Sequence, residues 1–167
     1  MTLAEAAAQG DELAQSGSER ELADLRTKWA DDLEGAARSS DFRERAVAFR
    51  AIGQFRWRAK EELLRRGLDD ESPACRGSAL LSLELMSRDH PSTINGVRAQ
   101  LHTLATADAN AAVRRLAILC LKNGSAERNT IVLLEGLAAD DEADAELQRA
   151  ASGVALHLKK KQQPKRS

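Results

Sequence analysis

The chain has 167 residues and a formal net charge of −1, with 43% apolar residues, 3% aromatics, three Pro and no Tyr. That length suits one domain or one short array with a real core, and the near-neutral charge excludes a molecule that seeks polyanions or membranes as a whole. A composition dominated by Ala and Leu, with 31% charged residues, points to an all-helical protein built on close helix contacts.

Residues 2–15 are expected to form a short helix with Leu3, Ala6, Ala7 and Leu13 on one side, weakened at Gly10 and ended by Ser16-Gly17. Its apolar face is thin, so the segment 1–17 reads as a helix that either frays or docks. Ser18-Glu-Arg-Glu21 has the form of a capping box and starts a helix over 19–37 with Leu22, Leu25, Trp29, Leu33 and Ala36 at helical steps. Asp41-Phe-Arg-Glu44 has the same form and opens 41–55; a shorter helix follows over 58–68. Ser72-Pro73 supplies a cap and a first-turn proline for 72–87, His90-Pro91 breaks the chain, and 93–105 resumes. Asn110 caps 110–122, which Asn123-Gly124 stops; 127–138 and 144–158 follow. From Lys159 onward, residues 159–167 read as a basic disordered tail.

Four of these helices share a frame. Counted from Asp41, Ser72, Asn110 and Asp144, the fourth position is Arg45, Arg76, Arg114 and then Gln148. The seventh is always Ala (Ala48, Ala79, Ala117, Ala151), and the eleventh is Ile52, Leu83, Leu121 and Ala155. The starts lie 31, 38 and 34 residues apart, a period that marks stacked helical hairpins. The hairpins pair 19–37 with 41–55, 58–68 with 72–87, 93–105 with 110–122, and 127–138 with 144–158, all in one repeat domain over 18–158.

This pattern resembles the HEAT repeat family, in particular the short bacterial HEAT-like repeats also found in phycobilin lyase subunits. The resemblance implies an all-α fold, a right-handed α-solenoid of about four helical hairpins with an extra N-terminal helix. It also implies a polar ladder between repeats, in which a turn Asp meets the Arg of the frame. Asp69 or Asp70 with Arg76, and Asp108 with Arg114, fit best; Arg45 fits with Asp41 doubling as cap, and Gln148 departs from the pattern. HEAT-like arrays serve many functions, so the resemblance carries architecture alone. A tetrapyrrole-lyase-like enzyme subunit rests on that likeness only, and the likeness to HEAT-like alkylpurine DNA glycosylases is architectural.

Catalysis has little support in the residues. His90, His102 and His157 fall on three different elements, and no P-loop, GxSxG, GxGxxG or HExxH is present. Asp69-Asp70-Glu71 and Asp140-Asp141-Glu142-x-Asp144 lack the glycine and ligand alternation of a calcium loop, and helix starts attract acids anyway. The expectation is a protein that is not an enzyme and uses no cofactor and no metal. Cys75 and Cys120 lie far apart without a CxxC, as in a reduced, cytoplasmic chain. The first ten residues lack the basic start of a signal peptide, no apolar run approaches the ~18 residues of a membrane span, and no membrane partner is expected.

Two candidate surfaces remain. On a helical wheel at ~100° per residue, frame positions seven and eleven face the core, while five, nine and thirteen face away. Leu81, Leu85 and Leu119 then stand outward, rimmed by Arg50, Glu84, Arg115 and Arg149, as a site for another protein or peptide, a second copy of the chain included. The competing reading is that helix 2–15 covers these leucines. The second surface is 42–68, where Arg43, Arg50, Arg56, Arg58, Lys60, Arg65 and Arg66 interleave with Phe42, Phe49, Phe55 and Trp57. Such a mixture suits nucleic acid or another polyanion, unless the phenylalanines are core and the cations a solvated face. The expected function is therefore an adaptor (assembly factor, regulatory subunit or inhibitor), with polyanion binding as the alternative.

Overall fold

A computed structural model describes residues 1–163, which form ten α-helices and one 3-10 turn, with no strand among the described residues. The chain divides into two compact units, Met1–Met86 and a second from Ser87 onward, each with its own buried side chains. The boundary falls at the end of the fifth helix, inside the span 18–158, and the segment 1–17 belongs to the first unit.

The first unit holds α1 (Leu3–Gln15), α2 (Glu19–Ala37), α3 (Phe42–Gln54), a 3-10 turn, α4 (Glu61–Leu68) and nearly all of α5 (Pro73–Ser87). α1 is anchored rather than frayed. A capping box starts it, with Glu5 N–H on Thr2 Oγ1 at 3.2 Å and Thr2 N–H on Glu5 Oε2 at 2.9 Å. Ala6, Ala7 and Gly10 are buried, and the helix packs on α2 and α3. A Cβ on Gly10 would sit 2.6 Å from Phe55 Cδ1, so the residue that weakens the helix is also where the Phe55 ring closes on it. The capping box expected at Ser18 does not form. Gly17, at φ +74, instead turns the chain so that Ser18 N–H reaches Leu13 O at 2.9 Å, and Ser18 Oγ pairs with Ser16 Oγ.

α3 ends with the same turn but without a glycine. Arg56 takes φ 50, with Trp57 N–H on Ile52 O and Arg56 N–H on Gly53 O, both at 3.0 Å. A left-handed residue with a side chain costs roughly 1–2 kcal/mol. The Arg56 guanidinium offsets this by donating to Gly53 O at 2.9 Å and Gln54 O at 3.0 Å, and by pairing with Asp11 at 2.8 Å. Arg26 donates to Phe55 O at 2.8 Å and Arg56 O at 3.1 Å. Two cations thus satisfy the last carbonyls of α3, the end where a helix dipole favours positive charge. Farther up the same helix, Gly53 lets α3 and α5 touch. Its N–H donates to Ser82 Oγ at 3.0 Å, and a Cβ there would lie 2.5 Å from Ser82 Cα.

The second unit holds α6 (Pro91–Asn95), α7 (Arg98–Ala107), α8 (Ala111–Leu121), α9 (Arg128–Ala139) and α10 (Ala145–Gln162). α7 packs on α8, α9 on α10, and α10 also on α8. The single helix expected over 93–105 is two helices, because the bend at Gly96-Val97 turns Asn95 and Arg98 together onto the turn at Ser125. Arg98, only 9% exposed, donates to Thr130 Oγ1 at 2.9 Å, to Ser125 O at 3.2 Å and to Asn95 Oδ1. His102 Nε2 joins Thr130 Oγ1 at 2.8 Å. α10 continues to Gln162, past the end at Leu158 that the sequence predicts; residues 164–167 of the expected tail lie outside the described residues.

The frame sets the interior of both units. Ala48, Ala79, Ala117 and Ala151 are fully buried, and Ile52, Leu83, Leu121 and Ala155 are nearly so. Asp41, Asn110 and Asp144 each accept a backbone N–H as caps, from Arg43 at 2.9 Å, Val113 at 3.1 Å and Leu147 at 2.7 Å.

Candidate functional site

The fourth frame position closes the turn before its own helix. Arg45 donates to Ser39 O at 3.0 Å, Arg76 to Asp70 O at 2.9 Å, Arg114 to Ala105 O at 3.0 Å, and Gln148 to Asp140 O at 2.6 Å. Gln148 does this without a charge, which is why the last copy of the frame folds like the others. The Asp70 carboxylate expected to meet Arg76 meets the arginine of the preceding frame instead. Arg45 grips Asp70 through two bonds, at 2.9 and 3.0 Å, whereas Arg76 meets the backbone of Asp70 rather than its carboxylate. Burial by itself would raise the Asp70 pKa, but the Arg45 bonds and the Ser72 N–H outweigh it and hold the carboxyl below its usual range. Asp108 spends one carboxylate oxygen on Asn110 N–H at 2.8 Å.

The basic stretch is largely neutralised from within. Arg56 is committed to Asp11 and the end of α3, and Lys60 to Glu34 at 2.6 Å. Arg43 lies 3.3 Å from Asp41, Arg58 3.6 Å from Glu61 and Arg65 3.9 Å from Glu62. Phe49 and Phe55 are core, Trp57 meets Phe55 edge-on, and Phe42 alone of the three phenylalanines is exposed. Arg66 is exposed, and Arg50 is half-buried with Nη1 lacking a hydrogen-bond partner.

Of the outward positions of the wheel, Leu81, Leu119, Arg149 and Gly153 are exposed, whereas Arg50, Leu85 and Arg115 are half-buried. In the first unit Leu81 is 41% exposed, Leu85 is half-buried, and Glu84 beside them has interactions of its own. In the second unit Leu119 is 42% exposed, Arg149 is exposed, and Arg115 pairs with Glu146 of α10. Within the first unit α1 packs on α2 and α3 and leaves Leu81 exposed, so it does not cover that leucine.

Leu119 and Arg149 line one groove of about 370 Å³ between α8 and α10. Gly153 and Leu156 complete its apolar floor, and Lys122 and Lys160 stand at its edge. Gly153 is open, with no atom within 4 Å of a Cβ built there, and Leu156 is 57% exposed. His157 lies in the same groove. Burial first, then Lys161, Lys122 and Lys160, hold its pKa below the ordinary histidine value. The sequence reading missed Lys122, Leu156, His157 and Lys160 as site residues. Leu156 shares a helical stripe with Arg149 and Gly153 inside the expected helix, but Lys160 joins it only because α10 runs past Leu158.

Cys75 and Cys120 are buried thiols, not a disulfide. Among the described residues no group of three or more His, Cys, Asp or Glu is placed to hold a metal ion, and no helix is long and apolar enough to cross a membrane. No model of a known protein family matches the chain, and no curated protein matches it.

Proposed function

We propose that the chain is a HEAT-like repeat protein of the α-solenoid class, not an enzyme, that holds a segment of another protein on the outward face of α8 and α10. The frame supports the first part, because its seventh and eleventh positions are interior and its ninth, in Leu81 and Leu119, is exposed. The single observation that carries the second is Leu119. A leucine 42% exposed in the last turn of α8, in a groove edged by Lys122, Arg149 and Lys160, has the apolar centre and charged rim of a partner site. Polyanion binding through 42–68 loses support, since the carboxylates of Asp11, Glu34 and Glu61 already engage its cations.

Leu119→Asp tests the proposal. An exposed leucine tolerates a carboxylate in the free protein, whereas a dry interface desolvates that charge without a partner. The variant is expected to melt like the wild type and to lose the partner that wild type captures by crosslinking in its host. Equal capture by both would overturn the proposal.

A further inference from the structure

The groove between α8 and α10 has a charge pattern that identifies what it takes. Arg149, Gly153, Leu156 and Lys160 form one stripe along α10, about 16 Å long at 1.5 Å per residue, with a cation at each end and the apolar floor between. Lys122 faces the stripe from α8. These three cations have no carboxylate partner among the described residues. On the same two helices Arg115 pairs with Glu146, and Lys159 with Glu135 at 3.1 Å. No carboxylate lines the groove. The cations also crowd one another: burial first, then Lys122, lowers the Lys161 pKa, and the same lysines act on His157. A negatively charged occupant relieves that repulsion.

Resting on the adaptor reading above, we propose that this groove receives an acidic amphipathic helix of the partner. Its apolar side chain sits over Gly153 between Leu119 and Leu156, and carboxylates about three turns apart meet Arg149 at one end and Lys122 and Lys160 at the other. Helix-in-groove recognition uses this division of labour, with apolar anchors for affinity and charge for register. A nucleic-acid strand fits less well. Its phosphates are evenly spaced, and its bases call for broad aromatic platforms, whereas no Phe, Tyr or Trp lines this groove.

The test uses the full chain and labelled peptides of about 16 residues, long enough to be partly helical alone. The first carries Leu at its centre and Glu toward both ends, the second replaces each Glu with Lys, and the third replaces the Leu with Ser. An oligothymidylate serves as the nucleic-acid probe. Anisotropy titrations are expected to show the Glu peptide binding at least about tenfold more tightly than either control peptide, a difference of ~1.4 kcal/mol. Gly153→Leu adds a side chain where a Cβ meets nothing within 4 Å, so the variant should remain folded and yet lose the peptide. Lys122→Glu with Lys160→Glu should shift the preference to the Lys peptide. Equal affinity for Glu and Lys peptides, no saturable binding, or an oligonucleotide that binds more tightly than the Glu peptide would each overturn the proposal. If capture in the host depends on Leu119 while the Glu peptide fails, the acidic-helix inference falls and the adaptor reading stands; if neither result appears, both fall.

Discussion

Gly53→Ala should destabilise the first unit, although alanine is the better helix former. Taken alone, the exchange in a helix favours alanine by ~1 kcal/mol. Against it stands the contact with α5, where a Cβ would lie 2.5 Å from Ser82 Cα and 2.5 Å from Ser82 Oγ. Backbone cannot swing aside, so α3 and α5 must part. Overpacking of this kind costs ~1–3 kcal/mol, and losing the Gly53 to Ser82 hydrogen bond adds ~1 kcal/mol. The net loss is ~1–3 kcal/mol, several degrees of melting temperature at this chain length. The control is Gly136→Ala in α9, where nothing lies within 4 Å of the new Cβ and the helix gain of ~1 kcal/mol appears undiminished. Thermal melts and urea titrations of both variants should move in opposite directions. Trimming Ser82 to glycine should rescue Gly53→Ala only in part, because the clash with the α5 backbone remains. Stabilisation by both alanines, or full rescue, would refute the close approach of α3 and α5.

The paired carboxylate at the turn before α5 predicts a difference between two arginines. Arg45→Ala strands Asp70, whose side chain is only 10% exposed, and should lower the urea midpoint clearly, while Arg65→Ala, at an exposed pair, should leave it in place. Equal effects would remove the Arg45–Asp70 bridge from the stability argument. His102 predicts the pH dependence: burial first, then the Arg98 charge, keep its folded pKa below the ordinary 6.5. The unfolded chain therefore takes up a proton first as pH falls, so stability is complete above pH 6.5 and declines below it. His102→Gln should flatten that slope in urea titrations, and a midpoint that rises on acidification would contradict the burial of the ring.

Interior positions were legible because they follow from geometry that repeats. An alanine seven residues after each cap lies inward whatever the loops do, and Asp41, Asn110 and Asp144 cap because their chemistry is local. Contacts between distant residues were not legible. Arg56 and Lys60 look like a polyanion patch until Asp11 and Glu34 are seen beside them, and nothing near Gly53 in the sequence announces Ser82. Ser18 had the spacing of a capping box, but a glycine at positive φ one residue earlier decided the turn. The groove was half visible, through Leu119 and Arg149. The lysine run that resembles a tail belongs in large part to α10, where Lys159, Lys160 and Lys161 suit the negative end of the helix dipole.

The bond between Asp11 and Arg56 joins residues 45 apart, which matters while the chain is being made. A ribosome adding ~5–20 residues per second releases α1 several seconds before the Phe55 ring and the Arg56 guanidinium that hold it in place. A helix of 13 residues is marginal by itself in water, so the nascent segment waits as coil. Its small apolar face, Ala6, Ala7 and Gly10, offers little for a chaperone to grip in the meantime. The segment synthesised earliest therefore cannot complete its packing until the end of α3 has been made, because Phe55 and Arg56 are what it packs against and pairs with.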